Sequence, residues 1–141
     1  MILALVALLA VERFTIQYFH DQDRSSLTLV DLKFPSPRRG VAVGFVQEEG
    51  RDPKPVALVT SDGGGAWSLV PLKDDPVSLF FLSESLGWMV TPKAIWRTEE
   101  TGRSWTRIKA PAGLLRVHFR DPLRGWAVGF RKQVYQTSDG G

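Results

Sequence analysis

An interval of 38 residues runs through this sequence and limits what the chain can fold into. Phe81 to Phe119, Thr60 to Thr98 and Trp67 to Trp105 are each 38 residues apart, and Thr98 to Thr137 is 39. A fixed interval of that length marks a repeat architecture, in which each unit buries its apolar face against the next. In every unit a phenylalanine stands six residues before a glycine: Phe34 and Gly40, Phe81 and Gly87, Phe119 and Gly125. Apolar segments lead into the phenylalanine at residues 29–34, 77–81 and 115–119, and others follow the glycine at 41–45, 88–90 and 126–130. A third segment ends in threonine at residues 56–60, 94–98 and 134–137.

These segments are too short for helices, and no ten-residue stretch carries a helical apolar period. With 11% aromatics, 13 glycines and 9 prolines, the composition suits short strands joined by turns. The fold class expected is all-β, a β-propeller of four-stranded antiparallel blades. The units divide as residues 29–76, 77–114 and an incomplete 115–141, preceded by an apolar segment and lead-in strand at 1–28. Phe34 to Phe81 is 47 residues, nine more than the repeat. The excess is placed in residues 47–55, read as a lengthened hairpin loop.

A second signature sits where the third strand turns into the fourth. Thr60, Asp62, Gly64 and Trp67 occupy relative positions 0, 2, 4 and 7, and Thr98, Glu100, Gly102 and Trp105 repeat the spacing with glutamate as the acid. Thr137, Asp139 and Gly141 begin it a third time. The chemistry is structural: an acid or hydroxyl at a hairpin tip accepts backbone N–H bonds, glycine supplies positive φ, and tryptophan re-enters the sheet. The longer Glu100 is expected to make these bonds less well.

This pattern resembles the BNR or Asp-box repeat of bacterial sialidases, the sortilin ectodomain and, most of all, the photosystem II stability/assembly factor family. Residues 115–141 fit that family's fuller pattern except for the final tryptophan, and residues 77–105 fit with Thr91 where a second glycine is expected. The resemblance covers residues 29–141. It implies a seven-bladed propeller, exported or lumenal, that binds a membrane-protein subunit under assembly. Three units do not close such a ring, so the chain is expected to be a fragment of one.

No catalytic constellation stands out, and the chain is expected not to be an enzyme and to need no cofactor. A sialidase needs an arginine cluster, a tyrosine nucleophile with a glutamate partner and an acid/base aspartate; the Arg-Ile-Pro signature is absent, and Tyr18 and Tyr135 are the only tyrosines. The alternative reading is a fragment of such a glycoside hydrolase with its catalytic residues in missing blades. Of the two histidines, His118 alternates with Val117 and Phe119 as a strand residue does, so no histidine metal site is expected. With no cysteine, thiolate sites are excluded, and one acid per turn is too few ligands for calcium.

Partner binding is assigned to arginines. Arg38, Arg39, Arg120 and Arg124 fall in the equivalent loop of the first and third units, so they share one rim, with Arg131 on the opposite side. They suit an acidic protein segment. The net charge of +3 is too small to suggest nucleic acid, and no small-molecule substrate is evident. Residues 1–10 form an unbroken apolar run, about half of what a helix needs to span a bilayer. It reads as a secretory signal core although no basic residue precedes it, and export is expected.

Overall fold

The computed structural model describes residues 14–141; the apolar run at residues 1–10 lies outside them. No helix forms among the described residues. Eleven strands follow in order: β1 (Ser25–Lys33), β2 (Gly40–Glu48), β3 (Lys54–Thr60), β4 (Ser68–Pro71), β5 (Ser78–Phe81), β6 (Gly87–Val90), β7 (Ile95–Thr98), β8 (Thr106–Ile108), β9 (Leu114–Phe119), β10 (Gly125–Gly129) and β11 (Val134–Thr137). They make three antiparallel sheets in sequential order, β1-β2-β3-β4, β5-β6-β7-β8 and β9-β10-β11. These are consecutive blades of a β-propeller, as the repeat predicts.

The Phe-to-Gly signature has a direct packing cause. Phe81 pairs with Gly87 and Phe119 with Gly125 across the first hairpin of their blades. A Cβ on Gly40, Gly87 or Gly125 would meet the ring of Phe34, Phe81 or Phe119 at 2.6, 2.5 and 2.6 Å. The ring lies flat over the glycine and replaces its missing side chain.

The three sheets stack face to face through two cores. Val41, Val43, Ala57 and Val59 of the first blade meet Leu79, Met89, Ala94 and Trp96 of the second. On the other face of the second blade, Trp88, Val90 and Ile95 meet Leu114, Val117, Phe119 and Ala127 of the third. Trp88 is fully buried, and its ring stacks on Phe119 with centroids 3.7 Å apart and planes within 3°. The first strands of neighbouring blades touch, β1 against β5 and β5 against β9. Side chains tie them: Leu79 N donates to Asp31 Oδ2 at 2.8 Å and Ser78 Oγ to the Leu115 carbonyl at 2.7 Å. First strands in mutual contact are the inner strands of a propeller, as expected for the segments ending in Phe34, Phe81 and Phe119.

Two details differ from expectation. The nine extra residues mostly lengthen strands instead of the loop: β2 has 9 residues where β6 has 4, β3 has 7 where β7 has 4, and β1 starts early so that Ser25 pairs with Glu48. The ion pairs of Glu48 with Arg51 (2.6 Å) and Lys54 (3.2 Å) hold this extension closed. Thr91 replaces the expected second glycine because β6 ends at Val90; its hydroxyl donates to the Ala94 carbonyl and accepts from Ala94 N, closing a tight turn.

Candidate functional site

In all three blades the turn after the third strand is built on its threonine. Thr60 Oγ1 accepts from Gly64 N (3.0 Å) and Thr98 Oγ1 from Gly102 N (2.9 Å), both buried. Thr137 Oγ1 accepts from Gly141 N at 3.0 Å. In the first and third turns the same hydroxyl donates to the acid, to Asp62 Oδ1 and Asp139 Oδ1 at 2.8 Å each. Asp62 then accepts from Ala66 N at 2.9 Å, a bond exposed to solvent. The carboxylate therefore serves an exposed amide, and the buried amide belongs to threonine. Trp67 closes the first turn by donating Nε1–H to the Gly64 carbonyl at 3.1 Å and packing edge-on against Phe34.

The second turn is looser, as the substitution of glutamate suggests. The Glu100 carboxylate accepts from the Ser104 hydroxyl and makes no bond to the Thr98 hydroxyl or to a turn amide, leaving only Glu100 N to donate to Thr98 Oγ1 at 3.2 Å, and Trp105 Nε1 is buried without an acceptor. Thr101 takes a φ of 53° where the other turns have Gly63 at 79° and Gly140 at 93°. Such a φ is strained for a β-branched residue. Two contacts offset it: the buried Thr101 hydroxyl donates to the Glu84 carbonyl at 2.9 Å, and Arg39 Nη1 donates to the same hydroxyl oxygen at 3.3 Å.

Each turn is stitched to the loop between the first and second strands of its own blade. Gly63 N donates to the Arg38 carbonyl (2.8 Å), Thr101 N to that of Ser85 (3.1 Å) and Gly140 N to that of Leu123 (2.8 Å). These loops and turns consequently share one rim, with the four arginines of interest in the outer two loops. Arg38 is exposed, and no carboxylate among the described residues pairs with it. Arg39 instead reaches the second blade, where its Nε lies 3.2 Å from Glu84 Oε1, an atom that also accepts from Ser36 Oγ at 2.9 Å. Arg120 and Arg124 flank Asp121 at 3.9 and 3.1 Å. The N–H groups of Arg124 and Leu123, followed by the two arginine charges, hold the Asp121 carboxyl below its usual value.

The structure thus brings Arg120 and Arg124 together around one acid and separates them from Arg38 and Arg39 by the acidic loop of the second blade. Sequence inspection passed over Glu84, Asp121 and Thr101, which organise this rim. Glu84 stands in the loop where the flanking blades carry arginines, and that exchange was its only signal.

No family model matches the chain, and no curated protein matches it. One similar solved structure is described as YCF48 bound to D1 peptide. It shares 14% identity, with 86% of this chain and 84% of that one covered, at a TM-score of 0.38. That likeness is too distant to carry a function across.

The remaining candidates make local contacts. Tyr135 bonds its hydroxyl to Gln133, His118 packs edge-on against Phe80 at 5.0 Å, and His20 Nε2 lies 2.8 Å from Ser25 Oγ. Among the described residues no three His, Cys, Asp or Glu side chains group as metal ligands.

The turns make acid stability testable. The Ala66 N–H and then the Thr60 hydroxyl hold Asp62 below the usual aspartate value, and the Thr137 hydroxyl and then Gly141 N–H do the same for Asp139. A carboxyl depressed in the folded state contributes stability that is complete above its unfolded pKa and is lost as pH falls through the folded one. The melting temperature should therefore drop below about pH 4. Thermal melts from pH 7 to 2.5 should show a shallower acid slope for Asp62→Asn with Asp139→Asn; an unchanged slope would clear these two groups.

Proposed function

We propose that the chain is a non-catalytic propeller that binds a protein partner through its basic rim, in the manner of the photosystem II stability/assembly factors its repeats resemble. The partner is an acidic extended segment, such as the tail of a membrane-protein subunit under assembly, met outside the cytoplasm after export. The observation that carries this reading is the placement of Arg38, Arg120 and Arg124 as exposed guanidinium groups on one rim, at equivalent loop positions of two blades. Guanidinium groups engage carboxylates in pairs of parallel bonds, and exposed charges of this kind act chiefly on encounter rate.

Arg39 contributes differently, because its bonds to Glu84 and Thr101 join two blades. Charge reversal belongs at Arg38 and Arg120. With an unstructured Asp/Glu-rich peptide as probe, Arg38→Glu with Arg120→Glu should slow association about 10-fold at low salt and flatten its salt dependence. The melting temperature should barely move. Unaltered association kinetics at low salt would remove the rim from the reading.

A further inference from the structure

At the seam between the first and second blades, both complete four-stranded sheets, donors converge on one carboxylate oxygen and are oriented by bonds of their own. The Ser36 hydroxyl accepts from Arg39 N at 3.2 Å, which directs its proton to Glu84 Oε1 at 2.9 Å. Arg39 brings Nε to within 3.2 Å of the same oxygen, and its Nη1 is steadied by Thr101 Oγ1 at 3.3 Å. Thr101 keeps its positive φ of 53° to stand there. Strained backbone of this kind persists where surrounding contacts fix it, and it gathers at binding sites.

The Glu84 side chain is held less firmly than the groups around it. Its loop is fastened through the backbone, by Thr101 Oγ1 on the Glu84 carbonyl at 2.9 Å and Thr101 N on the Ser85 carbonyl at 3.1 Å. The carboxylate adds only its two contacts through Oε1, and the Arg39 and Glu84 side chains are 42% and 55% exposed. Ion pairs this open contribute little, so the carboxylate can turn into solvent while its loop stays in place. The geometry points to a carboxylate-binding site made of the Arg39 guanidinium and the Ser36 hydroxyl: Glu84 fills it in the free chain, and an aspartate or glutamate side chain of an acidic partner segment takes it over. Because one carboxylate replaces another, the charge-assisted bonds of Arg39 and Ser36 are exchanged and not lost. This inference rests on the reading of the rim as the partner surface, and it makes Glu84 the internal competitor of that partner.

The test uses the 141-residue chain and a fluorescein-labelled, unstructured Asp/Glu-rich peptide, with binding read by anisotropy at low salt. Glu84→Ala should tighten binding about three- to five-fold, the range that an exposed ion pair spans, and the gain should vanish when Arg39→Gln is added. Glu99→Ala removes an equal charge from the same blade, where Glu99 pairs with Arg97, and should gain clearly less. An equal gain from Glu99→Ala, or a gain that survives Arg39→Gln, would reduce the effect to general charge and overturn the proposal. So would the absence of any gain from Glu84→Ala; if Arg38→Glu with Arg120→Glu then still slowed association, the rim reading would stand without this site. An Arg39-dependent gain in a chain whose binding ignores Arg38 and Arg120 would uphold the site and sink the wider rim. Should Arg39→Gln misfold, Ser36→Ala decides in its place, because deleting the hydroxyl arm should cut the gain from Glu84→Ala and an undiminished gain would overturn the proposal.

Discussion

Trp88→Ala should lower the unfolding free energy by about 3–5 kcal/mol in urea titrations, the usual cost of deleting a buried large aromatic. Trp88 is fully buried, stacks on Phe119 and lies under the Arg97 guanidinium, whose carbon is 5.9 Å from the ring centroid. It is thus the main contact between the second and third blades, and a loss of that size is a large part of a domain's total stability of roughly 5–15 kcal/mol. Trp88→Phe separates packing from polarity. The indole N–H has no acceptor, so phenylalanine surrenders no hydrogen bond and keeps most of the stack. It should cost less than half as much. Equal losses for both variants would show that ring size, not the stacked contact, sets the stability of this interface.

Thr60→Val should cost about 1–3 kcal/mol, because an isosteric side chain without a hydroxyl leaves the Gly64 amide buried and unpaired. The loss extends beyond one bond, since the same hydroxyl donates to Asp62. Asp62→Ala should cost less, because the Ala66 amide it frees is exposed and turns to water. Chemical denaturation of the two variants side by side checks the order. If Asp62→Ala proved the more damaging, the carboxylate, not the hydroxyl, would anchor the turn.

Much of this fold is legible in one dimension because its defining contacts are short-range. Phenylalanine over glycine across a six-residue span, threonine back to an amide four residues on, and tryptophan returning to the sheet are all completed inside one blade. Each leaves a fixed spacing in the sequence. The turns' acids were equally legible as positions, yet their weight was not. Whether an amide is buried depends on what packs over the turn, and it is the hydroxyl that holds the buried one.

The sequence by itself determined the strands, their order, the repeat and the turns, since periodicity and local hydrogen bonding act within a blade. Only the tertiary structure decided how blades meet. Asp31 bonds Leu79 across 48 residues, and Arg39 bonds Thr101 across 62. Neither pair has a spacing that a repeat of 38 would reveal, because each joins non-equivalent positions of different blades. The same holds for the rim: equivalent loop positions put the arginines at one end of the blades, but Glu84 and Asp121 settle which of them face solvent free of a carboxylate. That depends on side chains converging from separate sheets, and stacking of the sheets is what brings them together.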